Sequence, residues 1–574
     1  MRLSVIKSAN ATSFYVIKSV TIGGKRTSKI VKKLGTLKDL EQRLNGRDPY
    51  EWAQEEVDKL NDEEISDRTE VIAKFSSAKR ISKGNQVRYN GGYLFLQAIY
   101  YELALDRICK DISKRYKFDF DLNEVLSLLV YSRILYPSSK KSSLEAASQF
   151  LEAPKSSLQH IYRSLEILAK ESNFIQSQLY KESCKSVKRN TSVLYFDCTN
   201  YFFELEQASG IKQYGVSKEH RPNPIVQMGL FMDGDGIPLA FCINPGNDNE
   251  QKSLIPIETT IIRDFGLSRF IVCTDAGLAS QSNRKFNNIG ERAYVVTQSI
   301  KAMKGYLKNW ALDPKDWQKA GSNEIINLDN IDEDSENQSI YYKSRPIKEN
   351  GLEEQLVVTY SPKYKLYMRK VRERQIMRAE EKLKKPSSLK RKRANDPERF
   401  VTSLHCTNEG EVADKNVFVL NTDAIANEEK FDGFYAVCTN LETDPTEILK
   451  INKRRWEIEQ SFRIMKHELR ARPVFLSRDD RIQAHFMTCF ISLLIYRILE
   501  HRMRPSLPQQ EICGSAIVRT LKDMDFLDMQ GEGYVPLYAR SDVTDALHDH
   551  FGFRTDTEIV TKAGMKKIIK TTKA

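Results

Sequence analysis

The chain has 574 residues, of which 40% are hydrophobic and 10% aromatic, so it can form sizeable cores and is not globally disordered. It contains no run of about 18 apolar residues and no apolar export signal near its start, so we expect neither a membrane span nor secretion. Its nine cysteines and eight histidines show no metal-ligand spacing. We therefore expect a reduced, cytoplasmic protein without structural zinc.

The net charge is +12, and most of the excess lies in one segment. Residues 363–393 contain fourteen Lys or Arg and three Glu. A basic strip of this density suits a polyanion such as DNA. A solvated helix or a basic linker has the same composition, so the strip alone does not decide between these interpretations.

The first third of the chain divides into two predicted domains. Residues 1–85 begin with the alternation of a β-meander, which turns at Gly23-Gly24, and continue as a polar helix. Residues 86–190 are predicted to be helical and form a candidate DNA-binding domain. No single helix in this domain has a pattern that would identify it as reading a DNA groove.

Residues 191–300 show the pattern of a mixed sheet. Strands are predicted from Val193, Pro224 and Ile237, with a hairpin turn at Asp233-Gly-Asp-Gly236 whose glycines supply positive φ. A helix, a strand from Phe270, another helix and a strand from Ala293 follow. Three antiparallel strands followed by helix, strand, helix and strand is the order of a ribonuclease-H-like α/β fold.

The remaining residues divide into three predicted parts. Residues 301–439 are expected to form a β-rich insert that includes the basic helix. Residues 440–505 would complete the ribonuclease-H-like core with a helix that carries Glu459, followed by an apolar helix from Ile482 to Glu500. Residues 506–574 would form a small C-terminal subdomain, a candidate for dimerisation.

One predicted helix, from Asn452 to Lys466, combines a carboxylate with cations. Arg455 lies four residues before Glu459, Lys466 lies seven after it, and Asn452 lies seven before it, so these residues share a stripe. A carboxylate flanked by cations can hold a divalent metal while the cations hold phosphates. The stripe therefore predicts phosphodiester chemistry, provided that other carboxylates join it in space.

Asp197 and Asp275 are the candidates for those carboxylates, because each follows an apolar strand that the fold would place beside the other. Two-metal phosphodiester chemistry needs converging carboxylates, and their hard oxygens suit magnesium. Taken singly, each aspartate is most simply a turn or cap residue, and Glu459 a surface residue. The three gain weight together because the strand order and the helix stripe agree.

These residues resemble the DDE transposases of bacterial insertion sequences, and more narrowly the IS-four superfamily and its IS-sixteen-thirty-four-like group. The helix motif of that superfamily spaces tyrosine, arginine, glutamate and lysine by two, three and six residues; Arg455, Glu459 and Lys466 fit, and Asn452 stands in the tyrosine position. Further similar segments are Tyr195-Phe-Asp-Cys-Thr, Thr274-Asp-Ala-Gly-Leu, Asp432-Gly-Phe-Tyr, Arg472-Pro-Val-Phe and Ile482-Gln-Ala-His.

The resemblance implies roles for individual residues. Asp197, Asp275 and Glu459 would be catalytic and bind two magnesium or manganese ions. The implied DNA contacts are Arg455, Lys466, Arg463 and Asn452. Phe434 or Tyr435 is a candidate for stacking on a base flipped from the DNA end, although a core role is the simpler interpretation of both. His485, in an apolar helix, is expected to be a satisfied core histidine.

The resemblance also implies an activity: cut-and-paste transposition. The protein would cleave double-stranded DNA at terminal inverted repeats and transfer the 3′-hydroxyl ends into target DNA, as a homodimer in a bacterial, nucleoid-associated setting. Two alternatives remain open at this stage. One is a metal-dependent nuclease of the same fold that only hydrolyses DNA. The other is a catalytically silent DNA-binding protein descended from a transposase.

Overall fold

The computed structural model describes the chain except for residues 9–10, 23–24, 45, 69–77, 79, 81–82, 85, 323, 385–394, 407–411, 508–513 and 530–531. The predicted turn at Gly23-Gly24 and the basic stretch after Lys384 lie outside the described residues. The chain forms two compact units: Met1–Asn85 with Met529–Gly533, and Gln86–Asp528 with Tyr534–Ala574.

The smaller unit begins with the predicted antiparallel meander. Its elements are β1 (Arg2–Lys7), β2 (Thr12–Ile22), β3 (Lys25–Thr36), α1 (Leu37–Arg43) and α2 (Pro49–Arg68). Thr36 begins α1 with a capping box, in which its hydroxyl accepts from the Asp39 backbone N–H. Phe14, Val16 and Leu40 form the centre of a small core.

The larger unit opens with a short strand and the predicted helices. These are β4 (Arg88–Asn90), α3 (Tyr93–Glu102), α4 (Leu105–Ser113), α5 (Leu122–Leu135), α6 (Lys140–Ala147), α7 (Leu158–Lys170) and α8 (Ser172–Ser186). Asp121 caps α5, and Ser139 caps α6, by accepting backbone N–H groups in the first turn.

The central sheet follows in the predicted order of strands and helices. Its first elements are β5 (Val193–Phe202), β6 (Ile225–Asp233), β7 (Pro238–Pro245), α9 (Leu254–Thr260), β8 (Ile271–Thr274), α10 (Gln281–Phe286) and β9 (Ala293–Gln298). β5, β6 and β7 are antiparallel, while β5, β8 and β9 are parallel neighbours. Of the two hairpin glycines, Gly236 has positive φ, at 78°, and Gly234 does not.

The segment predicted as a β-rich insert contributes its strands mainly to this same sheet. It contains α11 (Gly305–Leu312), β10 (Trp317–Lys319), β11 (Ile325–Ile326), β12 (Tyr341–Glu349), β13 (Leu352–Tyr360), α12 (Pro362–Leu383), β14 (Val401–Cys406), β15 (Val412–Leu420), α13 (Thr422–Glu429) and β16 (Phe434–Thr439). The ten-stranded order is β11-β10-β12-β13-β16-β9-β8-β5-β6-β7. β16 therefore joins the insert strands to β9, and β14 pairs with β15 as a separate hairpin.

The last elements pack back on the helical region. They are α14 (Pro445–Lys453), α15 (Trp456–Arg463), α16 (Asp479–Met503), α17 (Gly514–Asp523), β17 (Asp525–Asp528), β18 (Gly533–Pro536), α18 (Asp542–Phe551), β19 (Val560–Thr561) and α19 (Lys562–Thr571). β4 pairs with β17, and Phe95 stacks on Phe553. The segments predicted as domains 86–190 and 506–574 thus share a sheet and a core.

α16 is the central helix of the larger unit. By length and composition it is the one described helix that could cross a membrane, but 94% of its most apolar window is buried inside the protein. His485 lies on this helix, buried, with Nε2 3.1 Å from the Ala471 carbonyl oxygen. Its contacts are those expected of a core histidine.

Candidate active site

β5 presents Asp197 to the face of the sheet that α15 and α16 cover. Side chains alternate along a strand. Phe196 packs in the cluster on the α9 side, while Tyr195 and Tyr201 pack in the cluster that includes α15 and α16. Because Asp197 is in step with these two tyrosines, its carboxylate faces the C-terminal helices.

Asp275 lies level with Asp197 on the neighbouring parallel strand. Tyr195 of β5 is opposite Cys273 of β8, and extending this register by two residues places Asp197 level with Asp275, the first residue after β8. Adjacent strands are about 4.8 Å apart, which places both carboxylates at one position of the sheet. Asp275 Oδ1 also accepts the Leu278 N–H at 3.1 Å, which holds the carboxylate at the strand end.

The electrostatics agree with this placement. Burial raises the pKa of Asp197 to about 6, the positive charge of Lys218 opposes this shift, and the negative charge of Asp275 adds to it. Arg455 of the helix motif also acts on Asp197, favouring its charged form. Two aspartates and two cations therefore share one electrostatic environment.

Lys218 and Glu219 were not identified from the sequence. Lys218 Nζ donates to the Cys198 carbonyl at 2.5 Å and lies 3.3 Å from Glu250. Glu219 pairs with Lys466 at 3.2 Å and with Arg472. The signal that could have found them is the charged run from Ser217 to Arg221, in the loop that directly follows β5.

The predicted motif helix is three consecutive segments instead of one helix. α14 ends at Lys453, α15 begins at Trp456, and a π-helical turn covers Ile464–Glu468. The junction is wound by bonds between residues three apart: the Arg455 N–H donates to Asn452, and the Ile458 N–H to Arg455. This tighter winding is typical of a 3₁₀ turn, and it shifts the stripe from its straight-helix positions.

Two contacts fix where the motif crosses the sheet. Tyr195 donates its hydroxyl to the Ile451 carbonyl at 2.9 Å, and Lys466 Nζ donates to Thr199 Oγ1 at 2.9 Å. Asp197 lies midway between Tyr195 and Thr199 on the same face of β5. The middle of α15, which carries Glu459, therefore passes over Asp197.

Arg455 extends the site towards β9. Its Nη1 donates to Thr297 Oγ1 at 3.3 Å, and the Thr297 and Tyr435 hydroxyls are 2.6 Å apart. Asn452 Nδ2 donates to the same Tyr435 hydroxyl at 3.3 Å. Phe434 instead packs in an aromatic cluster, with its ring tilted against that of Tyr360 and the two centroids 4.9 Å apart. Asn452 and Arg455 are thus joined by a hydroxyl network on β9 and β16.

A buried charge cluster holds α15 in position. Arg497 of α16 lies 3.1 Å from Glu457 and 2.7 Å from Glu500, and its Nε donates to the Gly236 carbonyl. A Cβ at Gly236 would approach Glu457 to 1.9 Å, so only glycine fits this turn. Glu457 is therefore the structural acid of α15, while Glu459 two residues later is exposed.

The structure brings together Asp197, Asp275, Arg455 and Lys466, all predicted from the sequence. Burial and the charge of Lys218 lower the pKa of Lys466 to about 8, against the opposing effect of Asp197. Arg463 is exposed, as is Glu459. Among the described residues, no three His, Cys, Asp or Glu side chains lie close enough to form a metal site. Glu459 is thus on the helix that crosses Asp197, but it forms no three-carboxylate group with Asp197 and Asp275 in the described structure.

Residues 201–495 match the family model described as a transposase DDE domain. This chain belongs to that family. The match includes Asp275 and Glu459 and begins four residues after Asp197. A search of the curated proteins found no match to this chain. Among solved structures, this chain is similar to the cryo-EM structure of a piggyBac transposase synaptic complex with hairpin DNA. The sequence identity is 8%, the alignment covers 84% of each chain, and the TM-score is 0.35.

Asp197 and Asp275 fit a divalent cation. Both offer hard oxygen donors at one position of the sheet, and their mutual repulsion contributes to the raised pKa of Asp197. A cation between them would relieve that repulsion. Glu459 is an exposed carboxylate on the helix that crosses this position, so it is the candidate that α15 offers for a third ligand.

Proposed function

We propose that this chain is a DNA transposase that cleaves the ends of an insertion sequence and joins the freed 3′-hydroxyl ends to target DNA. The observation that carries the proposal is the level placement of Asp197 and Asp275 on adjacent parallel strands, under a helix with Arg455, Glu459 and Lys466. Membership of the DDE transposase family supports it.

The proposal also covers the fold of the catalytic core and the superfamily to which the transposase belongs. The order β7-β6-β5-β8-β9, in which β6 alone runs antiparallel to the other four strands, supports a ribonuclease-H-like core. The spacing of Arg455, Glu459 and Lys466 supports the IS-four superfamily. Asn452 departs from its motif, and the hydroxyl that it contacts belongs to Tyr435.

Asp197, Asp275 and Glu459 would hold two magnesium or manganese ions. When bound, such ions neutralise phosphate charge and activate the attacking water or 3′-hydroxyl. The residues themselves position the DNA: Arg455 and Lys466 lie on either side of the acidic position and would hold the phosphates that flank the reacting bond. Arg463, exposed one turn after Glu459, would contact phosphate further out.

The proposed partner is double-stranded DNA, held by a homodimer because two ends must be brought together before joining. The exposed cations of α12 would supply sequence-independent attraction. Arg372 of this helix does not contribute, because it is buried in an ion pair with Asp432, 2.6 Å away. That pair anchors the basic helix to the turn before β16.

An excision assay tests the proposal. A plasmid that carries the two element ends around a marker is incubated with the protein and Mg²⁺, and the linear products are resolved on a gel. We expect release of the marker fragment with cleavage at both ends, and its loss when EDTA is added. Cleavage at random positions, or none in Mg²⁺ or Mn²⁺, would contradict the proposal.

The rate of excision is expected to rise with pH through about 6, because Asp197 must ionise to hold a cation and burial raises its pKa to about 6. More Mg²⁺ should move the midpoint to lower pH, since the ion and the proton compete for the same oxygens. Initial rates from pH 5 to 8 at two Mg²⁺ concentrations measure this shift, with DNA binding followed in parallel as a control. A midpoint that does not respond to Mg²⁺ would contradict the assignment.

A further inference from the structure

A cavity of about 330 Å³ lies beside the segment that follows the motif helix. It is bounded by the end of α5, the start of α6, residues 470–476 and His485 of α16. Four cationic side chains line it, and none of its described lining residues is acidic; the cations are Arg133, Lys140, Arg470 and Arg472. A cavity with this composition favours an anion.

Lys140 is the decisive residue of this cavity. It is the first residue of α6, it is 5% exposed, and its Nζ has no hydrogen-bond partner in the described part of the protein. Burial and the positive charge of Arg133 lower the pKa of Lys140 to about 7. A buried amine without a partner is costly to the fold, so packing alone does not account for it.

The groups around Lys140 do not balance its charge. Arg133 is 3% exposed, and it donates to the carbonyls of Leu469, Arg470 and Ser138, while its Nε has no partner among the described atoms. Burial, Arg133 and Lys140 all lower the pKa of His485, which keeps that ring neutral. The positive end of the α6 dipole adds to the same potential.

A chain of ion pairs links this cavity to the acidic position. Arg472 lines the cavity and pairs with Glu219, which does not itself line the cavity. Glu219 in turn pairs with Lys466, which donates to Thr199, two residues after Asp197. A polyanion held at Asp197 and Asp275 could therefore continue past Lys466 towards Lys140.

We propose that this cavity binds a backbone phosphate of the same DNA whose reacting phosphodiester lies at Asp197 and Asp275. Lys140 and Arg133 would hold the phosphate from inside, and Arg470 and Arg472 from the rim. This inference rests on the proposed transposase function, and it adds a phosphate contact outside the helix motif.

The test measures DNA binding by a Lys140→Met variant, with Lys141→Met as its matched control. Both remove one lysine charge from α6, but Lys141 is exposed. The probe is a fluorescein-labelled duplex of one element end, in EDTA so that no cleavage occurs. For Lys140→Met we expect weaker binding, and a slope of log affinity against log salt that is shallower by about 0.9. We also expect its melting temperature to equal or exceed that of wild type, because a buried unpaired amine is gone. Lys141→Met should leave the slope closer to wild type.

The following outcomes would contradict the inference. If the protein excises DNA but Lys140→Met binds with an unchanged slope, the cavity does not hold DNA and the proposed function stands. If inorganic phosphate raises the melting temperature of wild type but not of Lys140→Met, while DNA binding is unchanged, the cavity is a free-phosphate site. Should Lys140→Met fail to fold, Arg470→Gln on the exposed rim replaces it, and an unchanged slope there overturns the inference.

Discussion

Replacing Asp275 with asparagine is expected to slow Mg²⁺-dependent excision by about 100-fold to 1000-fold, the scale seen when a group that stabilises transition-state charge is removed. Asparagine has the same size and can still accept the Leu278 N–H, so the strand end keeps its cap. What changes is the charge beside Asp197. The loss should therefore appear in excision and not in folding, and thermal unfolding measured without divalent ions should be close to wild type.

Asp264→Asn is the matched control for this substitution. Asp264 is an aspartate of the same unit, but its ion pair with Arg263 is on the surface, where such pairs contribute little. We expect it to excise DNA like wild type. Excision by Asp275→Asn at the rate of the Asp264 variant would show that the level pair of aspartates is not the reacting site.

The second large effect is expected from substitutions at two glutamates of α15, one of which should reduce activity and the other stability. Glu459→Gln should reduce excision by about 100-fold to 1000-fold, yet change the free energy of unfolding by less than about 0.5 kcal/mol because Glu459 is exposed. Glu457→Gln should show the opposite pattern. It weakens charged hydrogen bonds to Arg497, worth about 1.5 to 3 kcal/mol, while the reacting position stays intact.

Thermal unfolding and excision rates of the two variants, measured side by side, check this pattern. Each variant exchanges one carboxylate for an amide, and the sites are two residues apart, so composition and helix propensity are matched. Full activity of Glu459→Gln would show that Glu459 is a surface residue without a catalytic role. A large loss of stability in the same variant would contradict its exposed position.

Local patterns were enough to predict strands β5 to β9 and to place Asp197 and Asp275 at the ends of apolar runs. Each strand of the set β5 to β9 is a short apolar run bounded by turn residues, and such runs are visible in one sequence. The level placement of Asp197 and Asp275 was expected only in outline, because the register of parallel strands depends on packing over about 80 residues of intervening chain.

The joining of the insert strands to the core sheet could not be predicted. β13 and β16 are apolar runs, but their pairing is set by contacts between segments far apart in sequence, such as Val357 with Val437 and Cys438 with Val296. No local sequence pattern determines which strand of the sheet a given segment will pair with. The residues 301–439 therefore looked like a separate unit when taken alone.

The motif helix shows a second limit of sequence patterns. The sequence predicts a straight-helix stripe through Arg455, Glu459 and Lys466, yet the 3₁₀ junction and the π-helical turn carry no proline or glycine that would mark them. Nothing in the local sequence distinguishes Glu457, which is buried, from Glu459, which is exposed. The partner of Glu457, Arg497, lies 40 residues later in an apolar helix, so the buried pair was visible only in three dimensions.

The most direct measurement of the central claim supplies a short duplex with a pre-cleaved 3′-hydroxyl element end, a supercoiled target plasmid and Mg²⁺. The account predicts that the wild-type protein joins the end to the plasmid and that Asp275→Asn does not. Nicking of the plasmid without joining would identify a nuclease that only hydrolyses DNA. Binding of the duplex with neither nicking nor joining, in Mg²⁺ or Mn²⁺, would contradict a catalytic role for Asp197, Asp275 and Glu459.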